Sequence, residues 1–191
     1  QDSGMLEGVI SQAFSEEFGF KIDDAIVNGT GAGQPLGIMN ASGTVQVNKE
    51  TGQAADTVIA ENIDKMWSRL WARSRANAVW LINQGVEPEL YNMYRPVGTG
   101  GIPAYMPPNG LSQSPYGSLL GRPVIPIEQC DTIGDAGDIL LVDLSQYLLI
   151  DKGGIQSATS IHVQFTTDET AFRFVYRIDG QPSWHSALTP Y

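Results

Sequence analysis

The stretch "GMLEGVISQAFSEEFGFKIDDAIVNGTGAGQPLGIMN", residues 4–40, decides how the rest of the chain is read. Leu6, Ile10, Phe14, Phe18, Ile22, Ala25 and Ile26 recur at spacings of three and four, with Glu7, Glu16, Glu17, Lys21 and Asp24 between them. The spacing predicts one long amphipathic helix over 4–28. At ~1.5 Å per residue it would extend roughly 37 Å, more strut than ordinary globular helix. Asn28 and Gly29 tolerate the left-handed conformation that closes a helix C-terminus, and are expected to end it there. Gly29, Gly31 and Gly33 then alternate ahead of Gln34-Pro35-Leu36-Gly37. A phosphate-cradling glycine loop precedes a helix, so that free N–H groups meet the anion; this one follows a helix and faces its partially negative carbonyl end. No Gly-Lys-Ser/Thr accompanies it. The segment therefore reads as a turn, with Asn28, Gly29, Gly31, Gly33 and Pro35 as the hinge residues.

The chain has 191 residues, 42% of them apolar, enough for one large domain or two small ones with a real core. Its 21 acidic and 11 basic side chains leave a formal charge of −10, which disfavours a surface for gripping phosphate backbones. No stretch approaches the ~18 apolar residues of a membrane span, so a soluble protein is expected. Cys130 is the single cysteine, which rules out an internal disulfide. Without a secretory pattern at the N-terminus, an intracellular setting fits, and Asn28-Gly-Thr30 and Asn40-Ala-Ser42 read as chance glycosylation motifs. The chain opens at Gln1 directly on the helical pattern, as a piece of a longer protein would.

Farther along, "GTVQVNKETGQ" (43–53) alternates Val45 and Val47 with polar residues, suggesting a strand or hairpin. "ENIDKMWSRLWARSR" (61–75) gathers Ile63, Met66, Trp67, Leu70 and Trp71 on one face of a second helix; Arg69, Arg73 and Arg75 form a basic cluster, either a solvated face or an inter-subunit contact. "NAVWLINQ" (77–84) reads as a buried strand, and "EPELYNMYR" (87–95) as a short helix opened by Pro88. Residues 96–118, rich in Gly, Pro and Ser, read as a long loop of the kind that is functional or mobile. Strands are expected at 122–127, 138–144, 146–151, 159–165 and 171–179; in the last, Phe172, Phe174, Tyr176 and Ile178 alternate with Arg173, Val175 and Arg177. No repeat of 20 to 50 residues is visible, and the class is α+β.

Chemistry is sparse. His162 lies in an alternating strand and His185 beside Trp184; both read as surface or packing residues. There is no Gly-x-Ser-x-Gly, no His-Glu-x-x-His and no cysteine pair. Asp131, Asp135 and Asp138 lack the spacing of a calcium loop and read as a turn before a strand. Glu16-Glu17 and Asp23-Asp24 point in different directions on a helix and cannot readily share a proton. Trp67, Trp71 and Trp80 read as core anchors. The expectation is no catalysis, no cofactor and no metal.

Several segments together resemble the major capsid proteins of tailed bacteriophages with the Hong Kong 97-like fold. "IDDAIVNGTGAGQPLGIMN" (22–40) is similar to that family's junction between a spine helix and the next domain, and "ENIDKMWSRLWARSRANAVWLINQ" (61–84) to its helix and Trp-bearing strand. "GSLLGRPVIPIEQC" (117–130), "GDILLVDLSQYLLIDKGGI" (137–155) and "DETAFRFVYRIDGQPSWHSAL" (168–188) resemble its C-terminal half, in order. The resemblance implies an α+β fold with a long spine helix, a peripheral β-sheet and a mixed α/β axial domain. It puts 1–40 and 153–180 in the peripheral domain and 41–152 in the axial one, with 181–191 a candidate return to it. The loop at 101–118 would lie at the capsomer axis, with Tyr105, Pro107, Pro108, Asn109 and Ser112 as interface residues.

It further implies a self-assembling subunit of an icosahedral head, in pentamers and hexamers that enclose DNA. Assembly would occur in the bacterial cytoplasm with scaffold, protease, portal or decoration proteins as candidate partners, and without specific nucleic-acid or membrane binding. The family's N-terminal arm and extended loop would precede the spine helix, so the chain is expected to be a fragment. No isopeptide cross-link is expected either, since the family's loop lysine lies in that missing part and residues 150–191 contain no asparagine. An encapsulin-like shell is the alternative. A small hydrolase would instead need a deep pocket at the aspartates or histidines, and a carbohydrate-binding module an exposed aromatic platform.

Overall fold

The computed structural model describes residues 3–97, 100–108, 116–164, 166 and 169–187. In chain order the elements are α1 (Ser3–Asn28), α2 (Ala60–Arg69), β1 (Val79–Ile82), α3 (Glu87–Asn92), β2 (Tyr94–Val97), β3 (Gly100–Pro103), β4 (Tyr105–Met106) and β5 (Ser118–Leu119). β6 (Arg122–Pro126), β7 (Ile139–Val142), β8 (Tyr147–Asp151), β9 (Gln156–Gln164), β10 (Glu169–Val175) and β11 (Ile178–Pro182) follow. The chain divides into two compact units, one of 1–41 with 148–183, the other of 42–147 with 184–191.

In the first unit α1 runs unbroken for 26 residues. β9 and β10 form an antiparallel ribbon in which Phe172 pairs with Thr159 and Phe174 with Ser157. Period-two alternation puts Phe172 and Phe174 on one face and Arg173 on the other, so the aromatic side meets the helix. Phe14 stacks on Phe174 with centroids 4.4 Å apart, and Phe18 meets Tyr176 edge-on at 6.3 Å. The apolar stripe is incomplete, because Val9 and Phe20 lie on the exposed side. The single strand expected over 171–179 breaks at Tyr176–Arg177: β10 stays with β9, whereas β11 pairs with β8.

The second unit is built on a sheet ordered β4-β5-β6-β1-β7, with β1 parallel to β6 and antiparallel to β7. Trp80 is 0% exposed at its centre, and its indole Nε1 donates to the Leu119 carbonyl at 3.0 Å. Ile63 of α2, Val86, Leu90 of α3, Met93, Leu119 and Val124 complete the core. β5 and β6 are joined by Leu120 and Gly121, both at positive φ (52° and 75°), the geometry of a two-residue turn matched to strand twist.

Four expectations are corrected in this unit. Residues 44–50 form no strand. The second helix stops at Arg69 rather than continuing to 75; Leu70 is already extended at φ −68°, ψ 133°. Trp71 is therefore not a core anchor but 41% exposed, lying edge-on to Trp184 at 5.2 Å and beneath the Arg73 guanidinium. Among the described residues of 96–118 the chain is not mainly loop: hairpin β2–β3 and strands β4 and β5 are pinned there by Tyr94–Pro103 and Tyr105–Leu119 pairing, while 98–99 and 109–115 lie outside the described residues.

Candidate functional site

Three places draw the residues singled out by sequence. The first is the junction after α1. Gly31 and Gly33 adopt positive φ (76° and 72°), letting the chain reverse so that Thr30 bridges Leu36. The Gly37 amide donates to the Gly29 carbonyl at 2.8 Å, and the Leu36 amide to Gly180 of β11 at 2.8 Å. Gly29 is required for a reason other than the expected left-handed cap: a Cβ there would lie 2.2 Å from the Pro35 oxygen and 2.3 Å from the Ala25 oxygen. Gly37 is equally confined, 2.4 Å from the Gly29 nitrogen. Pro35 is buried. The carbonyls that α1 leaves open at Asn28 and Gly29 accept from the Asn40 side chain at 2.8 and 3.1 Å. The sequence offers Asn40 only as part of a chance glycosylation motif and not as a cap, because a cap twelve residues away carries no local signal.

The second place is the segment expected at a capsomer axis. Tyr105 is 4% exposed and belongs to the core. Its ring meets Tyr91 edge-on at 5.4 Å, its hydroxyl fills the space beside Gly117, and burial pushes its pKa up to about 12. Pro107 is exposed and Pro108 half-buried, whereas Asn109 and Ser112 lie outside the described residues. The side chains that do present apolar surface here are Tyr91, Tyr94, Ile102, Met106 and Tyr116. Tyr91 donates to Glu87 at 3.0 Å, and that hydrogen bond raises its pKa.

The third place is the charged periphery of the five-stranded sheet. Arg75 bonds the Trp67 carbonyl at 3.1 Å and stacks over the Trp67 ring, while Arg122 donates to the Ala76 carbonyl. Asp138 accepts from the amides of Gly134 (3.1 Å) and Ile139 (2.8 Å), and Asp135 from the Thr132 hydroxyl (3.2 Å). The aspartates thus hold a turn, as a run of Asp and Gly does. Among the described residues no group of three or more His, Cys, Asp or Glu is placed to hold a metal ion. His162 and His185 are exposed. Cys130 is buried, and burial, aided by Asp131 and Asp138, pushes its thiol up to about 12, far from the thiolate a nucleophile needs. A cleft lined by Lys152, Gly154, Gln156, Val175 and Arg177 holds about 40 Å³, against the ~300 Å³ or more of a typical small-molecule site. No helix among the described residues is long and apolar enough to cross a membrane.

The fold is similar to two solved capsids. One is the capsid of an empty GTA particle (TM-score 0.67, 17% identity) and the other that of a native GTA particle (TM-score 0.70, 19% identity), both computed with C5 symmetry. In each case the alignment covers 93% of this chain and 62% of the other, so the chain spans about three fifths of the capsid proteins it matches. No curated protein matches it. The sequence model described as "Phage capsid family" matches residues 1–191, and the chain belongs to that family.

Proposed function

We propose that the chain is a structural subunit of a bacteriophage head with the Hong Kong 97-like fold, and that copies gather into pentamers and hexamers around the DNA genome. The unit of 1–41 and 148–183 is the peripheral domain and the unit of 42–147 with the segment from Trp184 is the axial domain. The turn at Asn28–Pro35 is where the chain leaves the spine helix and heads, in chain order, for the axial domain. The capsomer axis runs past the exposed side chains near Pro107 and Pro108. The protein turns over no substrate and needs no cofactor. Scaffold, protease, portal and decoration proteins are its natural partners, and the virion is its destination after assembly in the bacterial cytoplasm.

One observation carries this reading: a continuous 26-residue helix braced by aromatic stacking on a two-stranded ribbon, a frame suited to bearing load across a shell. Family membership and likeness to capsids with five-fold symmetry support it. A shell built from one surface patch meeting a different patch on the next copy closes by rotation, and each contact can be weak because a subunit is held at several sites.

The test is electron microscopy of the complete gene product expressed alone and with its neighbouring genes. Closed shells with five-fold vertices are expected, and DNA inside them when the packaging genes are present. A product that stays monodisperse and monomeric under every condition would overturn the reading, and shells filled with a cargo enzyme would assign it to nanocompartments instead.

A further inference from the structure

β1 and β6 run parallel, so both start at one end of the five-stranded sheet and finish at the other. The starting end is mainly basic, although Asp143, which follows β7 beside the start of β1, adds a carboxylate there. Arg122 opens β6 and bonds the Ala76 carbonyl just ahead of β1, and Arg75 ties this corner to the last turn of α2 through the Trp67 carbonyl, bringing Arg69 and Arg73 to the same end. The finishing end is acidic. The Ile127 amide donates to Ile82 at 2.8 Å, Asn83 bonds Asp138 and Cys130, and the turn they hold carries Glu128, Asp131 and Asp135. The Asp56 carboxylate lies against Gly134 of the same turn.

Among the described residues none of these charged groups joins an ion pair; the three pairs formed are Lys21–Glu17, Lys65–Glu50 and Arg95–Asp64. The four residues of β1 separate the ends by ~13 Å at about 3.3 Å per residue, beyond the ~8 Å over which physiological salt screens exposed charges. The two ends therefore do little to neutralise each other within one copy. Each is left with uncompensated charge of the sign that the other end would attract.

We propose that this unit docks head to tail on a second copy of the chain, the Arg69, Arg73 and Arg122 end of one against the Glu128, Asp131 and Asp135 end of the next. The number of copies per ring rests on the shell-subunit reading above. The occupant is a second copy because a single chain carries both signs on opposite ends of one sheet, which is what a heterologous, ring-closing contact requires. An exposed contact of this kind sets register and association rate and weakens with salt.

The experiment uses the complete gene product at low salt, read by sedimentation velocity and electron microscopy. Reversing the basic end (R69E with R73E) is expected to raise the concentration needed for ring formation at least tenfold, and so is reversing the acidic end (E128K with D131K). These residues are exposed, and Asp138 and Arg75, which hold the local fold, are left intact. Carrying all four changes on one chain restores complementarity and assembly. An equimolar mixture of the two single-end variants alternates in sign, so it closes six-membered rings and no five-membered ones. Thermal melting checks that each variant folds; should a reversal unfold the chain, R73Q and D131N are expected to give the same loss in smaller measure, with a shallower salt dependence.

Folded single-end variants that assemble as wild type does, or a fourfold variant that fails to recover, would overturn the inference while leaving the shell reading intact. A wild-type protein that never associates takes both down.

Discussion

At the residue scale, the glycines after α1 separate into two kinds with different consequences. Gly37 sits where any Cβ meets backbone, so G37A must push the returning chain off the helix end and is expected to cost about 1–3 kcal/mol. Gly19 lies within the helix with nothing within 4 Å of the added methyl, so G19A is expected to stabilise by roughly 0.5–1 kcal/mol. Denaturant midpoints of the two variants should move in opposite directions; equal shifts would refute the close-approach account. Cys130 gives a second residue-level expectation. Its thiol is raised from 9.0 to about 12, so the folded protein keeps the proton that the unfolded chain releases. The resulting stability is full below pH 9 and is lost as pH rises through 12. Stability should fall across that window, C130A should flatten the fall, and alkylation of Cys130 at pH 8 should await added denaturant.

At the element scale, the contact that orders the first unit is aromatic stacking between α1 and β10. Phe14 and Phe20 are almost equally exposed, yet only Phe14 has a ring partner among the described residues. A double-mutant cycle of F14A with F174A should therefore return a coupling of about 0.5–1.5 kcal/mol, while F20A and F174A should add independently. Helical spacing made Phe14 legible and strand alternation made Phe174 legible, but neither period says that the two meet. The early stop of α2 and the break between β10 and β11 were illegible for a related reason. No glycine or proline marks Leu70 or Tyr176, and the chain changes course because Trp71 finds Trp184 and β11 finds β8.

At the scale of the whole molecule, the net charge of −10 sets how the protein meets nucleic acid. Neutralising phosphates requires clustered cations, and here the arginine cluster at the sheet's basic end is outweighed by carboxylates elsewhere. The purified protein is expected not to retard duplex DNA in a gel at physiological salt, and retardation by a population without aggregates would contradict that.

What the amino-acid sequence determined by itself was the set of elements carried by strong periodicity or by chain punctuation: the first helix to within a residue, the buried Trp80 strand, the short helix opened by Pro88, and the turn-rich junction at Gly29–Gly37. These follow from local rules, in which a 3.6-residue or two-residue repeat is written into the chain itself. Only the tertiary structure decided that Asn40 caps α1 across twelve residues, that Tyr105 turns inward while Trp71 turns outward, that weakly patterned residues near 100 pair as strands, and that arginines and carboxylates collect at opposite ends of one sheet. Those outcomes depend on which partner fills which space once distant segments meet, and burial of that kind leaves no periodic trace along the sequence.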